Sequence, residues 1–282
     1  MGKTPAPGAA PCILPPPPRE RGVSHRGHFL AALILAAAIA APAAAADGPV
    51  TLETRPGVTL TSYFMPRAGA SAVLLLLTGG SGSIGLRDGV PTSLNFLVRS
   101  RDHFAAAGFS VFILGRPSDR ADLDPAYRIG ADHLEDLRRV VAHLRHQTGL
   151  PVWLVGTSRG TISATAAAIA LGDEQAGIVL TSSVTAYRIP GAVPTQNLGA
   201  VRLPVLVLHH ERDACRACSP HELGWIMDGL SRAPVKRRLV VSGGEGPSGD
   251  ACEALHWHGY IGMEAEAVRL ITDWIKAPAG PP

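Results

Sequence analysis

No excess of either charge marks the body of this chain. Its 282 residues hold 26 basic and 23 acidic side chains. Lys3, Arg19, Arg21, Arg26 and Glu20 fall in an N-terminal segment, and without residues 1–46 each sign is left with 22. A neutral domain gives no electrostatic reason to bind nucleic acid. Cysteine is scarce, four in all, with Cys12 in the N-terminal segment. No internal repeat is visible. The longest stretch without periodicity, residues 182–203, is too short for a large lid domain.

The N-terminal segment reads as an extension and a secretory signal. Residues 1–22 are rich in Pro, Gly and Arg, with Pro15 to Pro18 in a row, and cannot build a core. Arg19, Arg21, Arg26 and His28 form a basic stretch ahead of an apolar run from Phe29 to Ala41. Pro42 and the alanines up to Ala46 then supply small residues for cleavage after Ala46. The apolar run is short and alanine-rich for a membrane anchor. A periplasmic or secreted domain over residues 47–282 is expected, free of the membrane once cleaved and long enough for one sizeable core.

That domain alternates strand-like and helix-like segments. Val50–Glu53 and Val58–Phe64 read as an opening hairpin. Ala72–Leu77 is a continuous apolar run, as expected of a strand buried on both faces. Leu94–Ala107 reads as a helix and Phe109–Leu114 as the next strand. Ala131–Gln147 reads as a long amphipathic helix, with Leu134, Leu137, Val140, Val141 and Leu144 at helical spacing. A strand over 151–155 precedes a helix running to about Leu171. Strands follow at Gly177–Thr181, Val205–Leu208 and Arg238–Val241, and a closing helix at Gly259–Ile275. The alternation predicts a mostly parallel sheet with helices on both faces.

In such a sheet the loops leaving the strand C-termini gather along one edge, and four of them carry useful groups. Gly156-Thr157-Ser158-Arg159-Gly160 places a serine between strand and helix, with glycines where side chains would collide. Chance alone supplies this pattern about one time in five at this composition, so its company matters. Thr78-Gly79-Gly80-Ser81-Gly82-Ser83 can present bare backbone to a developing oxyanion. The donors would be the N–H of Arg159 and that of Gly80, with Ser81 the alternate. Gly80, Gly82 and Gly85 also fit a dinucleotide fingerprint. No helix opens at Gly85, however, and no acid follows the next strand, so no cofactor is expected. Asp213, with Glu211 as alternate, can orient a histidine. His258, with His256 as alternate, can act as general base. The order Ser158, Asp213, His258 is that of α/β-hydrolases.

The chain here resembles the α/β-hydrolase superfamily over roughly residues 50–276. More narrowly, Asn95–Arg101, Pro117-Ser118-Asp119, the Ser158 pentapeptide and His258-Gly259-Tyr260 resemble small secreted bacterial serine hydrolases of undefined substrate. Thr78-Gly79-Gly80 departs from the His-Gly-Gly or Pro-Gly-Gly of many members. The resemblance implies hydrolysis of an ester, thioester or amide of a small acyl substrate. If the fold holds, the loops of Cys215 and Cys252 converge, and a Cys215–Cys252 disulfide is favoured over one to Cys218. The competing readings are a zinc site from Cys215, Cys218, Cys252 and His256, a redox dithiol at Cys215 and Cys218, and a non-catalytic binding protein on the same fold. Arg99, Arg101 and Arg116 are candidates for recognising an anionic substrate.

Overall fold

A computed structural model describes residues 1–2, 14–18, 22 and 46–280. The basic stretch and apolar run of the expected signal lie largely outside the described residues. The chain divides into two units, Met1–Pro42 and Ala43–Pro282. The few described residues of the first carry no helix or strand. No helix among the described residues is long and apolar enough to cross a membrane.

The second unit opens with the antiparallel hairpin β1 (Gly48–Arg55) and β2 (Val58–Met65). There follow β3 (Val73–Leu77), a two-stranded ribbon of β4 (Leu86–Arg87) and β5 (Val90–Pro91), the short helices α1 (Phe96–Arg99) and α2 (Arg101–Ala106), and β6 (Ser110–Ile113). Next come α3 (Ala131–Thr148), β7 (Val152–Thr157), α4 (Arg159–Leu171), β8 (Gly177–Thr181), β9 (Val205–His210), α5 (Leu223–Gly229), β10 (Lys236–Val241) and α6 (Glu264–Lys276). Eight strands form one sheet in the order β1-β2-β6-β3-β7-β8-β9-β10. Every pair from β6 to β10 is parallel, and only β1–β2 and β2–β6 are antiparallel.

Alternate strand residues feed two cores, as a period of two requires. Val73, Leu75, Leu154, Ile178 and Val207 pack under α3, α4 and α5. Leu74, Leu76, Val155, Val179 and Leu208 pack under α1, α2 and α6 on the other face. Helices on both faces leave β3, β7 and β8 almost without exposed surface, which explains their unbroken apolar runs. β10 is at the sheet edge, and its side chains alternate between part-buried and exposed.

Two helices differ from the sequence expectation. The single helix over 94–107 is interrupted at Ser100, whose φ of −95° and ψ of 5° end one turn and begin the next. The closing helix starts at Glu264 rather than Gly259. Trp257–Gly259 form a 3-10 turn, and Tyr260 takes a left-handed φ of 58°. That turn drives the Tyr260 ring into the core against Phe96, and its O–H donates to the Leu208 carbonyl at 2.8 Å. α5 has no counterpart among the expected elements. The stretch over 182–203 carries two 3-10 turns and no lid.

The packing of α4 onto β3 is set by backbone contact. A Cβ on Gly160 would lie 1.9 Å from the Leu77 carbonyl oxygen. Gly160→Ala therefore forces α4 off the sheet. Its denaturant midpoint should drop by the equivalent of about 2–3 kcal/mol or more. Gly224→Ala, where an added Cβ meets nothing within 4 Å, should cost nothing. Equal stability of the two variants would contradict this packing.

Candidate active site

Ser158 occupies the turn between β7 and α4 with φ 51° and ψ −126°. A residue with a side chain seldom adopts such a backbone, which costs about 1–3 kcal/mol and persists where its surroundings fix it. Here they do. The Ser158 N–H donates to the Thr181 carbonyl of β8 at 3.1 Å. Thr161 returns two bonds to the Ser158 carbonyl, from its N–H at 2.9 Å and its Oγ1 at 2.7 Å.

The glycine loop after β3 lies beside this turn because β3 and β7 are neighbours in the sheet. A Cβ on Gly79 would stand 2.8 Å from the Ser158 Cβ, so bare backbone is needed for the approach. The Gly82 N–H closes the loop on the Gly79 carbonyl at 3.1 Å. The N–H groups of Gly80 and Ser81 enter no hydrogen bond among the described residues, and that of Arg159, first in α4, has no partner within the helix. Gly80, Ser81, Ser158, Arg159 and His258 line one cleft of about 780 Å³.

Asp213 and His258 meet at the end of β9. The His258 Nδ1–H donates to Asp213 Oδ2 at 2.8 Å, and the Cys215 N–H donates to Oδ1 at 3.0 Å. Nε2 of His258 is buried and has no partner, and no hydrogen bond joins it to Ser158. A second histidine, to which the sequence assigned no role, reaches the same carboxylate. His209 Nε2 lies 3.0 Å from both Asp213 Oδ2 and the Cys218 carbonyl. Both neighbours are acceptors, so that nitrogen carries the proton. Burial pushes the Asp213 carboxyl up, but the bonds from His209 and His258 outweigh it and hold the group at about 2.

The alternates lie elsewhere. Glu211 is exposed and pairs with Arg212 at 3.7 Å. His256 packs edge-on against Trp257, and it is not among the residues that hydrogen-bond the Asp213 carboxylate. Of the three arginines offered as anion readers, Arg99 is bound to Glu264 at 3.0 Å, Arg101 to the Val98 carbonyl and Arg116 to the Ala121 carbonyl. None lines the cleft, whose arginines are Arg159 and Arg188. The ribbon β4–β5 follows Gly85, where a dinucleotide site would need a helix.

Cys215 and Cys252 form a disulfide that joins the loop of Asp213 to the loop of His258. Cys218 is a buried free thiol. Burial, and then the charge of Asp213, push it up, and Ser158 is beside it. Cys215, Cys218 and His258 bring donor atoms within 4.8 Å of one another. With Cys215 in the disulfide and His258 Nδ1 held by Asp213, only two donors are free, short of the four that structural zinc takes. His256 is not among them.

No protein-family model matches the chain, and no curated protein does. Solved structures do. An alpha-beta serine hydrolase homologue from Coxiella burnetii superposes with a TM-score of 0.57 at 16% identity, over 81% of this chain and 97% of that one. An esterase from Pyrococcus furiosus gives 0.59 at 13% identity, over 82% and 90%. The fold is that of the α/β-hydrolases. An α/β serine hydrolase without a lid, from Xanthomonas campestris, gives 0.53 at 19% identity, over 84% and 97%. At these identities the likeness is one of α/β-hydrolase architecture.

The Asp213 carboxyl ties stability to pH. Its pKa is lower folded than unfolded, so its contribution is complete above the unfolded value near 4 and is lost as pH falls toward 2. The shift corresponds to roughly 2 kcal/mol. Denaturant midpoints of wild type and Asp213→Asn should differ at pH 6 and converge by pH 2. A gap that stays constant over this range would rule out the shift.

Proposed function

We propose that this α/β-hydrolase domain is a serine hydrolase that cleaves small acyl esters through an acyl-enzyme. One observation carries the reading. His258 donates from Nδ1 to a buried carboxylate at 2.8 Å and lines the cleft that holds the strained Ser158, and its buried Nε2 has no hydrogen-bond partner among the described residues. An acceptor nitrogen held in one tautomer on a residue that shares the serine's cleft is what general-base activation draws on.

In this reading His258 Nε2 takes the Ser158 proton as Oγ attacks the acyl carbon. The oxyanion is received by the N–H of Arg159 and that of Gly80, with Ser81 as the alternate donor. Collapse breaks the bond to the leaving oxygen, which takes the proton from His258. Water, activated by the same nitrogen, then releases the acid and restores Ser158. Asp213 stays ionised throughout, holding the ring and stabilising its cation.

The preference for esters over thioesters or amides is supported by the esterases among the similar structures. The Cys215–Cys252 bridge suits an oxidising compartment and supports a periplasmic or secreted location. A fluorophosphonate probe should label the wild type and not Ser158→Ala. On a panel of acyl esters, kcat/KM of that variant should fall by about 10³-fold or more. Folded wild type that stays unlabelled, or a serine variant with undiminished ester cleavage, sinks the proposal and leaves a binding protein on this fold.

A further inference from the structure

Arg128 is buried where a cation finds no counter-charge. It lies in the turn before α3 and is 1% exposed. All its hydrogen bonds go to uncharged acceptors. Nε donates to the Leu123 carbonyl at 2.8 Å and Nη1 to Ser163 Oγ at 3.0 Å. Nη2 donates to the carbonyls of Thr78 and Gly80, at 3.1 and 3.2 Å. No carboxylate among the described residues reaches ion-pair distance, and Asp122 and Asp124 act only from farther off. Burial lowers its pKa, and then the charge of Arg159 adds to that, yet a guanidinium remains charged at neutral pH.

The surroundings add no charge of their own. Ser163 Oγ accepts from Arg128 and lies at hydrogen-bond distance, 2.9 Å, from His133 Nε2. His133 is held at about 3, by burial first and the charge of Arg128 second, and stays neutral. The result is one unpaired cation beneath the glycine loop.

We infer that Arg128 is a positioning residue of the oxyanion hole, whose unpaired charge fixes the Thr78–Gly80 loop and is balanced only when a substrate oxyanion forms across that loop. The inference rests on the proposed acyl transfer. A buried charge without a partner is costly in the resting protein. With the Gly80 carbonyl turned to Arg128, the Ser81 N–H on the opposite edge of the same trans peptide points away from it. Hydrogen bonding to the carbonyl polarises that peptide and strengthens its N–H as a donor. A neutral ester carbonyl gains little from this field. The oxyanion gains much more, and that difference is what accelerates a reaction.

The test compares Arg128→Gln, which keeps two N–H donors and drops the charge, with Arg128→Lys, which keeps the charge. For Gln, kcat should fall roughly 10- to 100-fold with KM within about 2-fold. A boronic acid, which forms an anionic tetrahedral adduct on serine, should lose affinity in proportion to kcat/KM. Lys should keep more of kcat than Gln. Wild-type kcat in folded Gln, or equal losses in the two variants, overturns the inference. Should Gln not fold, Lys alone decides: a loss of kcat/KM unmatched in boronate affinity overturns it, and a matched loss supports it. Ser158→Ala is run alongside. Undiminished activity there indicts the acyl-transfer reading, whereas a dead serine variant with unaffected Arg128 variants indicts only this inference.

Discussion

Everything at the site depends on how closely α4 sits on the end of β3. Gly160 lies against the Leu77 carbonyl with no room for a Cβ. That approach forces the chain from β7 to α4 through a turn tight enough to hold Ser158 at φ 51°. It also brings Gly79 against the Ser158 side chain and sets the free N–H groups of the glycine loop beside that of Arg159. A looser junction would relax Ser158 and separate the two sources of the proposed oxyanion donors. The strain is small beside the burial of a central parallel sheet, whose packing holds the turn in place.

The two buried charges of the site are handled in opposite ways. Asp213 is saturated, with two imidazole N–H groups and one backbone N–H on its two oxygens. It is therefore a low-pKa anion that serves as a fixed electrostatic reference for His258. Arg128 has four neutral acceptors and, among the described residues, no carboxylate at ion-pair distance. The first arrangement stabilises a cation on the base, and the second favours an anion at the loop. Proton transfer from Ser158 with attack on a carbonyl creates that pair of charges. The polarity built into the resting protein matches the charge separation of the proposed reaction.

Much of the architecture was legible because it is local. Unbroken apolar runs such as Leu74–Leu77 and Ile178–Thr181 follow from burial on both faces, and the helical spacing from Leu137 to Leu144 follows from burial on one. The glycines of the Ser158 turn announced its tightness. The features that escaped are set by distant partners. Arg128 looks like an ordinary arginine near a helix start, and only its 50-residue reach back to Thr78 gives it meaning. His209 is the local exception: it stands just past the expected strand over Val205–Leu208, and only the turn after β9 brings Asp213, four residues on, to its ring. The break at Ser100 and the late start of α6 belong to a joint packing problem. Arg99 on one side of the break holds Glu264 at the head of α6, while Tyr260 fills the core between them.

That joint also explains how His258, the proposed base, is held in place on an irregular loop. The segment from Gly243 to Met263 has no α-helix or strand to carry His258. Three separate ties replace one. Ser182, itself at φ 45°, donates its hydroxyl to the His258 carbonyl at 2.8 Å. Tyr260 ties the next turn to β9 through Leu208. The disulfide joins Cys252 to the acid loop across 37 residues, a closure worth about 4 kcal/mol by chain entropy. The first two act on the His258 carbonyl and through the Tyr260 side chain, so they fix the position of the ring without touching Nε2. The third acts on the loops and not on the ring, so its weight falls on the distance between acid and base. A loop tied in this way keeps one His258 nitrogen on Asp213 and leaves the other, buried and without a hydrogen-bond partner among the described residues, for the proposed proton transfer.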